Sequence, residues 1–276
     1  MSQPPTDAAL LTLTEWWGDM GVDVDEAEIA ALRGGKPVQR APVTAKRAVQ
    51  ASPPPKFEDA PVPVKRARKK SMQDWVQKAE SLAADADTLD ALKAAIEGFE
   101  GCPLKAGANK TVVFDGVQGA PVMVIGEGAG GTEDRVGLPF VGKAGQLLDK
   151  MLAAIELDRK TNTFITNVTY WRPPGNRNPE ADELAVCRPF VDRMIELNAP
   201  KLIIAAGGVS AKTLLNTKTG IMKLRGAWVD YTTPGGFTAP IMPTFHPAYL
   251  LRRSQDKSRA WRDLLEIQAR LAKEEG

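Results

Sequence analysis

Apolar positions along the chain change character near Ser71. Before it, one patch stands out. Leu10, Leu11, Leu13, Trp16, Trp17 and Met20 cluster on one side of a helical wheel, Gly21 offers a stop, and Asp25 could cap a second helix running to Arg33. Residues 1–33 are therefore expected to form a small helical segment, either a hairpin packed on the rest or a docking element for a protein partner. Residues 34–70 carry seven prolines, at 37, 42, 53, 54, 55, 61 and 63, and few apolar side chains, which predicts a disordered, Pro-rich linker.

From Ser71 the pattern is that of a folded domain, expected over 71–276. Trp75, Ala79 and Leu82, then Leu89, Leu92 and Ile96, repeat at helical spacing and predict helix over 72–100. Val122–Ile125, Phe164–Thr166 and Lys201–Ala206 are short apolar runs of the kind that form buried strands, and Ile241–Thr244 closes a fourth. Helices are predicted over 144–155, 180–197, from 209 to 215, and over 257–273. Strands alternating with helices give an α/β fold, a three-layer α/β/α sandwich around a mostly parallel central sheet. Ligands of such folds bind beyond the carboxyl ends of the strands, and the glycine-rich and polar segments of this chain follow its strands.

Composition narrows the function classes. The net charge of +2 does not mark the whole chain as a nucleic-acid binder, but ten Lys or Arg against two acids fall between Gly34 and Lys70. The cluster Lys65-Arg66-Ala67-Arg68-Lys69-Lys70 could add salt-sensitive attraction to phosphates or simply be a solvated tail. Two cysteines are too few for a disulfide scaffold, no signal peptide is evident at the N-terminus, and no apolar run is long enough to span a membrane. A reduced, cytoplasmic protein is expected.

Gly126, Gly128 and Gly131 satisfy G-x-G-x-x-G, the dinucleotide-binding fingerprint of an oxidoreductase. Two features weigh against it. No helix is expected to open directly after the loop, and the acid required about 20 residues on would be Asp149, inside a predicted helix.

Three blocks carry a more specific signal. The first is Gly126-Glu127-Gly128-Ala129-Gly130-Gly131, followed by Glu133-Asp134, Pro139-Phe140-Val141-Gly142 and Gly145-Gln146-Leu147-Leu148-Asp149. The second is Thr166-Asn167-Val168 with Arg172-Pro173-Pro174-Gly175-Asn176-Arg177. The third is His246-Pro247-Ala248-Tyr249-Leu250-Leu251-Arg252. Their order and spacing resemble the uracil-DNA glycosylase superfamily, family 4 type, over about residues 90–272, with Ala129 where that family has proline.

The resemblance implies hydrolysis of the N-glycosidic bond of a flipped uracil, leaving an abasic site in base excision repair. The implied catalytic residues are Glu127 and His246, and the implied uracil-binding residues are Phe140, Asn167 and Gly128. The implied DNA contacts are Lys143, Ser210, Leu250, Leu251, Arg252 and Arg253, with the leucines as an intercalating wedge and the helix starts at Gly142–Gly145 and Gly207–Ser210 as phosphate sites. Read alone, each residue has a plainer role open to it. Phe140 could be core, Asn167 a cap, His246 structural, Glu127 a loop brace, and one of the two leucines helix core. Glu133 and Asp134 read as braces of the loop.

That family holds a [4Fe–4S] cluster on four cysteines. Here Cys102 and Cys187 match two of them, while Phe99 and Trp171 stand at the other two positions. A metal site and cofactor are therefore not expected, the rings filling the volume instead. The expected partner is uracil-containing DNA, single- or double-stranded, and the protein is expected to be a monomer that turns over, since no histidine follows the Thr166-Asn167 block to trap the sugar. A catalytically weak DNA-binding accessory protein of a repair or replication assembly is the alternative.

Overall fold

The structure is a computed structural model that describes residues 71–274. The helical segment expected over 1–33 and the linker expected over 34–70 lie outside the described residues.

Ser71 caps helix α1 (Met72–Ala84) in a reciprocal capping box with Asp74, and Thr88 caps α2 (Leu89–Gly98). The single helical stretch expected over 72–100 is thus two helices, because Thr88 accepts the Ala91 N–H and restarts the turn. Six strands follow: β1 (Phe114–Gly116), β2 (Val122–Gly126), β3 (Thr163–Asn167), β4 (Leu202–Ala206), β5 (Val229–Thr232) and β6 (Thr238–Thr244). They form one sheet in the order β1-β3-β2-β4-β6-β5. The four central strands are parallel, and β1 and β5 are antiparallel edges.

Alternation along the central strands assigns each side chain to a face. Met123, Ile125, Phe164, Ile203, Ala205 and Ile241 join one core, with Leu92 of α2 and with Phe190 and Met194 of α5 (Ala181–Asn198). Val122, Val124, Ile165, Ile204 and Met242 join the other, with Leu148 and Leu152 of α4 (Lys143–Ala153) and Leu264 and Ile267 of α9 (Lys257–Glu274). Burial on both faces explains why β2, β3 and β4 contain no exposed position.

Three short helices complete the fold: α3 (Gly131–Val136), α6 (Gly208–Leu215) and α8 (Pro247–Arg252), with α7 (Ile221–Leu224) a single turn. Helix α3 corrects the expectation that no helix opens after the glycine loop. Glu133 and Asp134 lie in its first turn, where carboxylates favour the helix start, and left-handed Gly137 ends it after six residues. Among the described residues no helix is long and apolar enough to cross a membrane.

Candidate active site

The carboxyl ends of β2, β4 and β6 open onto one cavity of about 560 Å³. Glu127 and Gly128 follow β2, Gly207 follows β4, and His246 follows β6. Phe140 and Arg252 complete the wall on the side of α4 and α8.

Asn167 ends β3 directly beside Gly126. It is 1% exposed, and neither its Oδ1 nor its Nδ2 has a hydrogen-bond partner. An unpaired buried amide is costly, so both atoms call for a partner from outside the chain. A Cβ on Gly126 would collide with Asn167 Oδ1 and with the Phe140 ring, so only glycine lets these two groups approach across the end of β2.

The Phe140 ring stacks on the His246 imidazole, centroids 5.5 Å apart and planes 28° from parallel. Phe140 has a backbone φ of 53°, a left-handed conformation that bulky side chains rarely adopt. His246 caps α8: its Nδ1 accepts the Ala248 N–H at 3.1 Å, which places the ring proton on Nε2. Burial pushes its pKa down to about 4, helped by the nearby Arg252 charge and opposed by Glu133. The imidazole is therefore a neutral Nε2–H donor at neutral pH.

Glu127 is half-buried, and burial raises its carboxyl above the usual range. Its backbone is pinned by Thr169, whose N–H and hydroxyl both donate to the Glu127 carbonyl, at 3.2 and 3.1 Å. Glu133 accepts the N–H groups of Val141 and Gly142 at 3.0 and 2.8 Å. Asp134 accepts those of Asn109 and Lys110, with Asn109 Nδ2 also donating to it, and these bonds hold its pKa below the ordinary value against its burial. Both carboxylates brace the loop. Glu133 also takes the Gly142 amide, one of those in the Gly142–Gly145 segment that was expected to hold a phosphate.

Two expected DNA contacts are corrected. Ser210 is fully buried, and its hydroxyl donates to the Ile125 carbonyl at 2.6 Å, tying α6 to β2. Leu250 is 1% exposed in a small core with Phe245 and Ala260. Leu251, one residue on, is 48% exposed, as periodicity requires of one of the pair. Lys143, Arg252 and Arg253 lie at the surface. The cavity is also lined by Lys212 and Tyr249, which the sequence reading missed. Lys212 sits one turn into a helix entered through Gly207-Gly208, the one signal that could have found it.

The comparisons with known proteins fall on this framework. The Uracil DNA glycosylase superfamily matches residues 114–265, more than half of the chain. This chain belongs to that superfamily. Among similar proteins, the Type-4 uracil-DNA glycosylase of Thermotoga maritima is 38% identical over 159 residues, covering 57% of this chain and 80% of that protein. That of Sulfurisphaera tokodaii is 36% identical over 169 residues, 60% and 76% respectively. That of Pyrobaculum aerophilum is 35% identical over 179 residues, 64% and 91%.

The iron–sulfur cluster that the resemblance brings with it can be tested against the donors present in this superfamily member. Cys102 and Cys187 are both buried as free thiols. Contact with Cys102, together with complete burial, holds the Cys187 thiol well above its ordinary pKa, which opposes a thiolate there. The Phe99 ring packs edge-on against Trp75 and Phe190, and the Trp171 indole donates to Thr111 Oγ1 at 3.1 Å. Among the described residues no three His, Cys, Asp or Glu side chains gather as a metal site. Two thiols do not fit a cluster that takes four.

Proposed function

We propose that this protein is a uracil-DNA glycosylase, a hydrolase that draws uracil out of DNA and cleaves its N-glycosidic bond to leave an abasic site. The superfamily membership and the cavity agree on this, and the observation that carries the substrate assignment is the buried, unpartnered amide of Asn167.

Uracil presents an N3–H donor beside an O4 acceptor. The Asn167 Oδ1 would accept from N3 and its Nδ2 would donate to O4, satisfying all four groups. Cytosine reverses both polarities and would leave them unpaired, which such a site rejects strongly. Phe140 supplies the stacking face, and the loop at Gly128 leaves room for the base edge. His246 donates from Nε2 to O2, where negative charge develops as the bond breaks. A neutral donor suits this role, since it stabilises the anion without needing a proton to be transferred.

The C1′–N1 bond breaks with its electron pair passing to uracil. Water adds its oxygen to C1′, and its proton leaves through the Glu127 carboxylate. That carboxylate also steadies the positive charge on the sugar, as in glycoside hydrolysis. Arg252, Arg253 and Lys143 hold phosphates, and exposed Leu251 enters the gap left by the base.

The protein does this without a cluster, Phe99 and Trp171 occupying the space of two lost ligands. It acts as a cytoplasmic monomer, with the catalytic domain starting at residue 71, the basic linker of 34–70 adding sequence-independent affinity, and residues 1–33 available to a protein partner.

The test is incubation with oligonucleotides carrying one uracil, single- and double-stranded, followed by alkaline cleavage. Scission that requires uracil supports the proposal. DNA binding without scission would overturn it and favour an accessory role. Stoichiometric iron with a visible cluster band in anaerobically purified protein would overturn the cluster-free reading.

A further inference from the structure

We propose that Arg159 is a positioning residue of the uracil pocket, holding the Phe140 ring at the angle on which the base stacks. The inference rests on the pocket described above and assigns a role to a residue outside it.

Arg159 lies in the turn before β3, its side chain 13% exposed. Its guanidinium meets four acceptors at once. Nε donates to Asp149 Oδ1 on α4 at 2.8 Å, and Nη1 donates to Asp115 Oδ2 on β1 at 2.9 Å. The same fork reaches the backbone turn that carries the ring: Nη1 donates to the Pro139 carbonyl at 3.2 Å and Nη2 to the Phe140 carbonyl at 2.8 Å. The two carboxylates fix the guanidinium plane, and the plane fixes the two carbonyls. A lysine ammonium cannot reproduce such a planar, four-way fork.

The turn needs holding. Phe140 is left-handed, a conformation that a bulky side chain keeps only where its surroundings enforce it. The other constraint comes from α4: a Cβ on Gly145 would collide with the Phe140 carbonyl, so the glycine leaves room for that oxygen to point at Arg159. Residues 139–140 are thus held between a cation and a helix start, while the ring reaches across to His246 and to the space beside Asn167. Loss of the fork frees the peptide to leave the left-handed region, and the ring swings off the stacking plane. Of the residues that line the cavity, the Arg159 side chain bonds only to Phe140, so the defect should fall on the base more than on the DNA backbone.

The experiment compares wild type with Arg159→Gln, Arg159→Lys and Gly145→Ala. It measures excision from a uracil oligonucleotide, inhibition by free uracil, and affinity for an abasic duplex, at a temperature where circular dichroism shows each variant folded. Base stacking on an aromatic face predicts losses of about 10-fold to 100-fold in kcat/KM for both Arg159 variants, with a matching rise in the uracil inhibition constant. Abasic-duplex affinity should stay within about twofold, and lysine should not rescue. Gly145→Ala, which presses the same carbonyl from α4, should show the same uracil-specific defect and serves where an Arg159 variant fails to fold. Wild-type uracil affinity in the Arg159 variants, equal loss of uracil and abasic-DNA affinity, or full rescue by lysine would each overturn the inference while leaving the glycosylase assignment intact. A wild-type protein that neither excises nor binds uracil would overturn the assignment itself.

Discussion

Asn167→Leu separates a binding role from a structural one because the two predict opposite changes in stability. The amide is 1% exposed, and both of its polar atoms lack partners. Each such atom costs the folded protein about 1–3 kcal/mol relative to an apolar group of the same shape. Leucine keeps the branching of asparagine but adds some bulk, and tight packing against Phe140 takes back part of the gain, about 1–3 kcal/mol. A net stabilisation on the order of 2 kcal/mol remains, which raises Tm by about 4–8 °C in a folded unit of this size. Activity moves the other way. Uracil's N3–H and O4 would enter the pocket and find no partner, and two such losses lower kcat/KM by roughly 30-fold to 10⁴-fold. Thermal melting and gel-based uracil excision on the same preparation read both quantities. A variant that melts earlier than wild type and loses activity in proportion would show that Asn167 holds the fold and that its amide is not the uracil reader.

His246 makes stability depend on pH in a defined window. An imidazole whose pKa falls from 6.5 to about 4 on folding is protonated first in the unfolded chain, so its contribution is complete above about pH 6.5 and is lost between there and pH 4. The total is on the order of 3 kcal/mol, and wild type should lose about that much stability relative to the non-titrating His246→Gln as pH falls through that window, read from denaturant midpoints. Trp171→Ala should destabilise by roughly 3–5 kcal/mol in urea unfolding, since the ring is 1% exposed, while excision at low temperature is retained. Arg252→Ala should weaken DNA binding and reduce the salt slope of the affinity by about 0.9, one phosphate's worth. Ser210→Ala should leave that slope unchanged.

The parallel strands were legible because burial on both faces writes an uninterrupted apolar run, as in Val122–Ile125 and Leu202–Ala206. The edge strands were not. Phe114–Gly116 is three residues long, and Val229–Thr232 buries only Tyr231, so neither carries a periodic signal. The proposed site residues, Glu127 after β2, Asn167 at the end of β3 and His246 after β6, could be named because their motifs stand at the carboxyl ends of those strands. Ser210 misled because a serine after two glycines reads the same whether its hydroxyl faces a phosphate or the carbonyl of a neighbouring strand. That choice depends on how α6 packs against β2. Arg159 was invisible for a related reason: its acceptors come from β1, α4 and the Pro139-Phe140 turn, and nothing in the chain near residue 159 announces them.

The solitary imidazole has a practical consequence. With one histidine among 276 residues, the protein has a single pair of histidine ring-carbon protons in its magnetic resonance spectrum. Those two protons belong to a group that lines the cavity and that the proposed mechanism sets against the leaving base, so they report on the site without any assignment of the remaining spectrum. Docking of DNA, entry of the base and departure of free uracil each alter the field around the same ring. A catalytic cycle that would ordinarily need several engineered labels can be followed on one that the chain already carries.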